Sequence, residues 1–102
     1  MKQHLYRLLI ADHAASALRT LHPHIKKKLK TAFRSIIDDP YSGKALVDEL
    51  AGLRSYRVSR FRIIYRVMQE KQIEVVAVGP RDRIYEETYR LVSKQHTFGN
   101  RS

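Results

Sequence analysis

Between Arg54 and Arg66 the chain carries five arginines (Arg54, Arg57, Arg60, Arg62 and Arg66) and no acidic residue. A second basic cluster, Gly79-Pro80-Arg81-Asp82-Arg83-Ile84-Tyr85, follows downstream. Guanidinium groups bind phosphate through paired N–H donors, and an aromatic ring such as that of Tyr85 can stack on an unstacked base. Such residues can hold a phosphate and stabilise charge that develops on it. They cannot readily take a proton, because arginine stays protonated and is a poor general base. For any single arginine a solvated surface charge is an equal explanation. The convergence of several on one predicted face is what argues for an anion.

That face depends on a hairpin. Leu53–Val58 and Phe61–Met68 alternate as strands and are joined at Ser59-Arg60, and Ile73–Gly79 follows the polar turn Gln69–Gln72. With Ser59 and Arg60 as the loop, Val58 pairs with Phe61, Arg57 with Arg62, Tyr56 with Ile63 and Ser55 with Ile64. Tyr56, Val58, Phe61, Ile63, Tyr65 and Val67 then share the core face. Arg57, Arg62 and Arg66 project from the other face with Ser55 and Ile64. Ser-Arg lacks the Gly or Asn that a tight hairpin turn prefers, so a longer loop would shift this register. Like charges directly across a strand pair are destabilising, so Arg57 and Arg62 must share an anion, find acids, or repel.

The remaining elements frame the hairpin. His4–Ile10 reads as a strand, buried on part of both faces. Asp12 is the expected cap of a first helix with Ala14, Ala15, Leu18 and Leu21 inward. Pro23 opens a second helix whose core stripe is Ile25, Leu29, Phe33, Ile36 and Ile37, and Asp38-Asp39-Pro40 stops it. Leu46–Leu50 is a short strand or a turn. Arg83–Ser93 forms a last helix with Ile84, Thr88, Leu91 and Val92 inward. The order β-α-α-β-β-β-α predicts an α+β fold: a small antiparallel-rich sheet, helices packed on one face, the other face open to a partner. Residues 1–93 form one domain, and 94–102 are expected to be a flexible C-terminal tail.

The 102 residues carry 20 Lys+Arg against 10 Asp+Glu, a net charge of +10. That balance selects for nucleic acid, an anionic membrane surface or an acidic protein partner. No apolar run approaches the ~18 residues of a membrane span and no stretch reads as a signal segment, so the expected address is the cytoplasm, without membrane attachment. The absence of cysteine excludes disulfides and fits that address. His22-Pro23-His24 has no second metal-ligand pair, and neither metal nor cofactor is expected. The Lys26–Lys30 run reads first as the solvated face of an amphipathic helix. Within it Lys26, Lys27 and Lys30 are the candidates for polyanion contact.

The stretch Leu53-Arg54-Ser55-Tyr56-Arg57-Val58-Ser59-Arg60-Phe61-Arg62-Ile63-Ile64-Tyr65-Arg66-Val67, followed by Val76-Ala77-Val78-Gly79-Pro80-Arg81-Asp82-Arg83-Ile84-Tyr85, resembles the RelE/ParE toxin superfamily. Element order and length agree with it up to about Val92. The resemblance implies a RelE-like microbial RNase fold and the toxin of a type II toxin–antitoxin system, held by a cognate protein antitoxin in a hetero-oligomer. For RelE-like members it implies a ribosome-dependent mRNA endonuclease that inhibits translation. There the 2′-hydroxyl attacks the neighbouring phosphate and leaves a cyclic phosphate and a 5′-hydroxyl. ParE-like members are instead implied to inhibit DNA gyrase without nuclease activity. Carried over, Arg57, Arg62 and Arg81 with Tyr85 become the expected catalytic set, Tyr89 being the alternative tyrosine. Arg54, Arg60, Arg66 and Arg83, with Lys26, Lys27 and Lys30, become RNA contacts. A lysine of the RelE hairpin is replaced here by Ser55 or Ser59, and the Glu and His of some relatives have no counterpart, His96 lying in the tail. The general base is therefore open.

Overall fold

The computed structural model describes residues 6–101, and the side chains of residues 6–93. His4 and Leu5 of the expected first strand, and the side chain of His96, lie outside the described residues. The chain runs β1 (Arg7–Ile10), α1 (Asp12–Arg19), α2 (Pro23–Asp38), β2 (Lys44–Ala45), a 3-10 turn at Asp48–Leu50, β3 (Arg54–Val58), β4 (Phe61–Met68), β5 (Gln72–Pro80) and α3 (Arg81–Arg101). The expected order is present, with the small β2 added. The sheet order is β1-β5-β4-β3-β2, parallel only at β1–β5 and antiparallel elsewhere.

Local chemistry accounts for the helix boundaries. His22 caps α2 by accepting the His24 backbone N–H on Nδ1 at 3.0 Å, and Pro23 occupies the first turn, where its missing donor is harmless. α2 ends at Asp38, two residues before Pro40. Asp12, expected as a cap, lies inside the first turn of α1. Ala11 is the cap position and offers no side-chain acceptor, so Asp12 favours the helix through its charge near the N-terminus. α3 starts at Arg81 and runs to Arg101, beyond the Arg83–Ser93 expected from its apolar pattern.

Two cores flank the sheet. On one side Leu29, Ala32 and Ile36 of α2 and Ala14 of α1 pack on Ile63, Tyr65, Ile73, Val75 and Val78, with Tyr56, Val58, Phe61 and Val67 around them. All six residues expected on the core face of the hairpin are in this cluster. On the other side Ile84 of α3 packs on Leu53, Ile64 and Ala77, with Leu91 and Val92 beside them. The helices therefore do not gather on one face, as the sequence order suggested. α3 turns back from the end of β5 and covers part of the face expected to be open. Gly79 leaves room for the Ile84 side chain at this turn: a Cβ there would meet Ile84 Cδ1 at 2.9 Å.

β1 also departs from expectation. It pairs only with β5 and forms a sheet edge, so Leu9 and Ile10 are 39% and 40% exposed rather than buried on both sides. At the opposite side of the sheet, the buried Tyr65 hydroxyl donates to the Pro40 carbonyl at 2.8 Å and accepts the Gly43 N–H at 3.0 Å. This clamps the loop that leaves α2. Burial pushes the Tyr65 phenol above its ordinary value of 10.0, against the lowering effect of the Gly43 N–H and the Arg54 charge. Among the described residues no helix is long and apolar enough to cross a membrane.

Candidate phosphate-binding site

α3 leaves the hairpin-tip end of its sheet face uncovered, and the arginines gather there. β3 and β4 pair in the expected register, Val58 with Phe61, Arg57 with Arg62, Tyr56 with Ile63 and Ser55 with Ile64. The two-residue loop is thus real, and its strain falls on Ser59, whose φ of +56° a glycine would adopt at no steric cost. Arg62 also pairs with Gly79 of β5, so Arg57 is its only cross-strand neighbour with a side chain.

A cleft of 380 Å³ opens at this end, lined by Arg57, Ser59, Arg60, Arg62, Pro80, Arg81 and Asp82. The end of β3, the hairpin tip, the start of β4 and the junction of β5 with α3 each contribute to its wall. One backbone contact joins the parts, and one side-chain contact orients Arg62. The Arg81 N–H donates to the Arg60 carbonyl at 2.8 Å, tying the hairpin tip to the start of α3. Arg62 Nη1 donates to the Phe61 carbonyl at 3.1 Å, which keeps that guanidinium at the strand start. Among the described residues the ion pairs are Arg66–Glu74 and Arg90–Glu86, so none of the four cleft arginines is neutralised by a salt bridge. Four guanidinium groups on one small wall make a site for a phosphate or another compact anion.

Of the expected catalytic set, the cleft thus unites Arg57, Arg62 and Arg81. Tyr85 is close but not on the wall. Its hydroxyl is hydrogen-bonded to the buried Ser55 Oγ at 2.8 Å, two residues along β3 from Arg57. Tyr89 is 46% exposed on α3, so Tyr85 is the tyrosine that faces the sheet.

Of the expected surrounding contacts, only Arg60 reaches the cleft. Arg54 lies over the Tyr41 ring at 5.1 Å and donates to the Gly43 carbonyl at 2.9 Å, so it braces the clamped loop. Arg66 is held by Glu74, with Nη2 to Oε1 at 2.7 Å, at a separate small pocket that also includes Asp12 and His13. Arg83 is exposed on α3 and is not among the lining residues. Lys26, Lys27 and Lys30 border a different, apolar groove of 860 Å³ beside Ile10, Leu18, Leu29 and Phe33. Among the described residues no group of His, Asp or Glu is placed to hold a metal ion.

Two wall residues were not foreseen. Neither Ser59 nor Asp82 is among the site residues expected from the sequence. The run from Gly79 to Arg83 did contain the signal for Asp82: an arginine and an aspartate at the start of a helix cannot be far apart in space.

The family model described as "ParE toxin of type II toxin-antitoxin system, parDE" matches residues 8–85. A solved structure of the toxin–antitoxin complex RelBE2 from Mycobacterium tuberculosis contains a chain 30% identical, with a TM-score of 0.68, covering 74% of this chain and 98% of that one. A mutant of the E. coli toxin RelE in the free state shares the fold, with a TM-score of 0.70 at 22% identity over 88% of this chain and 96% of that one. A chain of the archaeal RelE–RelB complex from Pyrococcus horikoshii is 25% identical, with a TM-score of 0.59 over 76% of this chain and 97% of that one. No curated protein matches the sequence. With its residues 8–85 matched, its fold shared and its arginines gathered beside α3, the chain belongs to the ParE toxin family of type II toxin–antitoxin systems, within the RelE/ParE superfamily.

Proposed function

We propose that the protein is a ribosome-dependent mRNA endonuclease that inhibits translation, silenced by a cognate antitoxin. The observation that carries this reading is the cleft that brings Arg57, Arg60, Arg62 and Arg81 together without an ion-paired carboxylate. RelBE2 is a toxin–antitoxin complex and the archaeal RelE is held in a complex with RelB, which supports a hetero-oligomeric partner for this chain.

In the proposed reaction the substrate 2′-oxygen forms a bond to the adjacent phosphorus, and the bond from phosphorus to the 5′-oxygen breaks. The products are a 2′,3′-cyclic phosphate and a 5′-hydroxyl. The 2′-hydroxyl loses a proton and the leaving oxygen gains one. Arg57 and Arg62, facing each other across the strands, hold the non-bridging oxygens, and Arg81 faces the charge that grows on them. Asp82 is the one carboxylate among the lining residues and the only one of them suited to accept the departing proton. The Tyr85 hydroxyl can keep its bond to Ser55 and still give a proton when Ser55 is the donor, and its ring is open to stack on a base. The ribosome supplies the remaining alignment of the RNA.

A second reading is inhibition of DNA gyrase. It is favoured by the ParE description of the matched family and by the absence of histidine from the lining residues. In that reading the cleft binds an acidic protein surface. Induction of the protein in cells separates the two: cuts in ribosome-bound mRNA support the nuclease, whereas gyrase-linked DNA breaks with intact mRNA overturn it.

A further inference from the structure

The arginine cleft and α2 lie on opposite sides of the sheet, yet one lysine reaches from the helix to the cleft's rim. Lys28 Nζ approaches Ser59 Oγ at 3.4 Å, and Ser59 is a wall residue of the cleft. Its neighbours point elsewhere. Lys26, Lys27 and Lys30 border the apolar groove between α1 and α2, and Lys26 Nζ donates to the Arg19 carbonyl at 3.3 Å. The helical period separates Lys28 from that group and sets it beside the hairpin tip.

Positive charge is therefore continuous around the tip. It runs from Arg81 and Arg62 through Arg57 and Arg60 in the cleft, past Ser59, to Lys28 on the far side. Lys28 has no carboxylate partner among the described residues. A compact anion bound in the cleft would not need it. A chain of phosphates would, because the next phosphate of a single strand must pass over the tip or leave the protein.

We propose that Lys28 binds a second backbone phosphate, one or two nucleotides from the one in the cleft, so that the RNA strand crosses the tip of the β3–β4 hairpin. This rests on the reading of the cleft as a site for RNA phosphate. It makes Lys28 a binding residue for the flanking strand and not a participant in the reaction.

The test is binding of 2′-O-methyl oligoribonucleotides, which cannot be cleaved, to the full chain. An octamer is followed by fluorescence anisotropy and a dinucleotide by NMR shifts. Each phosphate contact on a single strand contributes a salt slope of about 0.7. Lys28→Gln should therefore weaken the octamer about fivefold at 0.1 M salt and lower the slope by about 0.7, while dinucleotide binding stays unchanged. Lys71→Gln, the same charge change in the β4–β5 connection at the other end of β4 from the tip, should leave the octamer slope as in the wild type. Octamer binding unaffected by Lys28→Gln, or weakened equally by Lys71→Gln, would overturn the proposal. So would equal weakening of octamer and dinucleotide, which would make Lys28 a support for the hairpin through Ser59. Arg62→Ala should abolish binding at both lengths; its failure to do so removes the cleft reading itself and is distinguishable from failure of the Lys28 contact.

Discussion

Arg57 and Arg62 are register partners across β3 and β4, and both contribute to the wall of one cleft. Facing residues in such a pair have Cβ atoms about 4.5–5.5 Å apart, so two unneutralised guanidinium groups are held close at a cost to the fold. A protein keeps such an arrangement where a ligand supplies the missing charge. Arg57→Thr should therefore stabilise the unliganded protein by about 0.2–1 kcal/mol at low salt. The gain should shrink as salt screens the repulsion, because charges at this exposed end are open to counterions. Thermal denaturation at low and high salt reads both effects, and the same variant should lose toxicity. A loss of stability at low salt would show that Arg57 has a favourable partner in the free protein.

Tyr85 and Ser55 share one hydrogen bond, which lets structure and chemistry be separated. Tyr85→Phe and Ser55→Ala each remove that bond and should each cost about 0.5–1.5 kcal/mol. Only Tyr85→Phe removes the hydroxyl itself. Cleavage should fall in Tyr85→Phe and persist in Ser55→Ala. Equal activity in the two variants would make the tyrosine a packing residue.

Asp82 is assigned the proton from the 2′-hydroxyl. Asp82→Asn keeps the size and hydrogen-bonding capacity of the side chain and removes the base, so cleavage should drop by about 100-fold or more. Because Asp82 sits in the first turn of α3, the lost charge should also cost about 0.3–1 kcal/mol of stability. Unchanged cleavage rates in the variant would leave proton removal to the ribosome or to solvent.

Tyr65 gives the fold an alkaline limit. Its phenol is pushed above 10.0 by burial, so the folded state binds its proton more tightly than the unfolded chain does. The stabilisation is fully present below pH 10 and is lost as pH rises towards the folded value. Tyr65→Phe should flatten stability against pH above 10. At neutral pH it should cost about 1–3 kcal/mol, because the Pro40 carbonyl and Gly43 N–H lose their partner. A wild-type curve that stays level above pH 10 would contradict this.

The hairpin was legible from the sequence because Tyr56, Val58, Phe61, Ile63, Tyr65 and Val67 recur at every second position, and a one-residue slip would have buried Arg57 and Arg62. The stripe Ile84, Thr88, Leu91, Val92 identified which side of α3 is apolar. It carried no information on which face of the sheet that side meets, and α3 was placed on the wrong side for that reason. Arg66 and Glu74 meet only because β5 pairs with β4, a register set by a bulge at Ile64/Tyr65 that leaves no mark in the residue pattern. Arg54 was within reach of the sequence argument. It lies two residues before Tyr56, so strand parity sets it on the core side and away from Arg57. Lys28 was not within reach, because its contact with Ser59 joins residues 31 apart across two layers.

The central claim is that this arginine cleft acts on an mRNA phosphate within the ribosome. The most direct measurement programs purified ribosomes with a defined mRNA, adds the purified protein, and maps the new 5′ ends. The account predicts cuts at a fixed position relative to the decoding site, each leaving a 5′-hydroxyl. It also predicts a drop of about 100-fold or more in Arg62→Ala, with the thermal midpoint retained. Intact mRNA with the wild-type protein, or undiminished cutting by a folded Arg62→Ala variant, would contradict it.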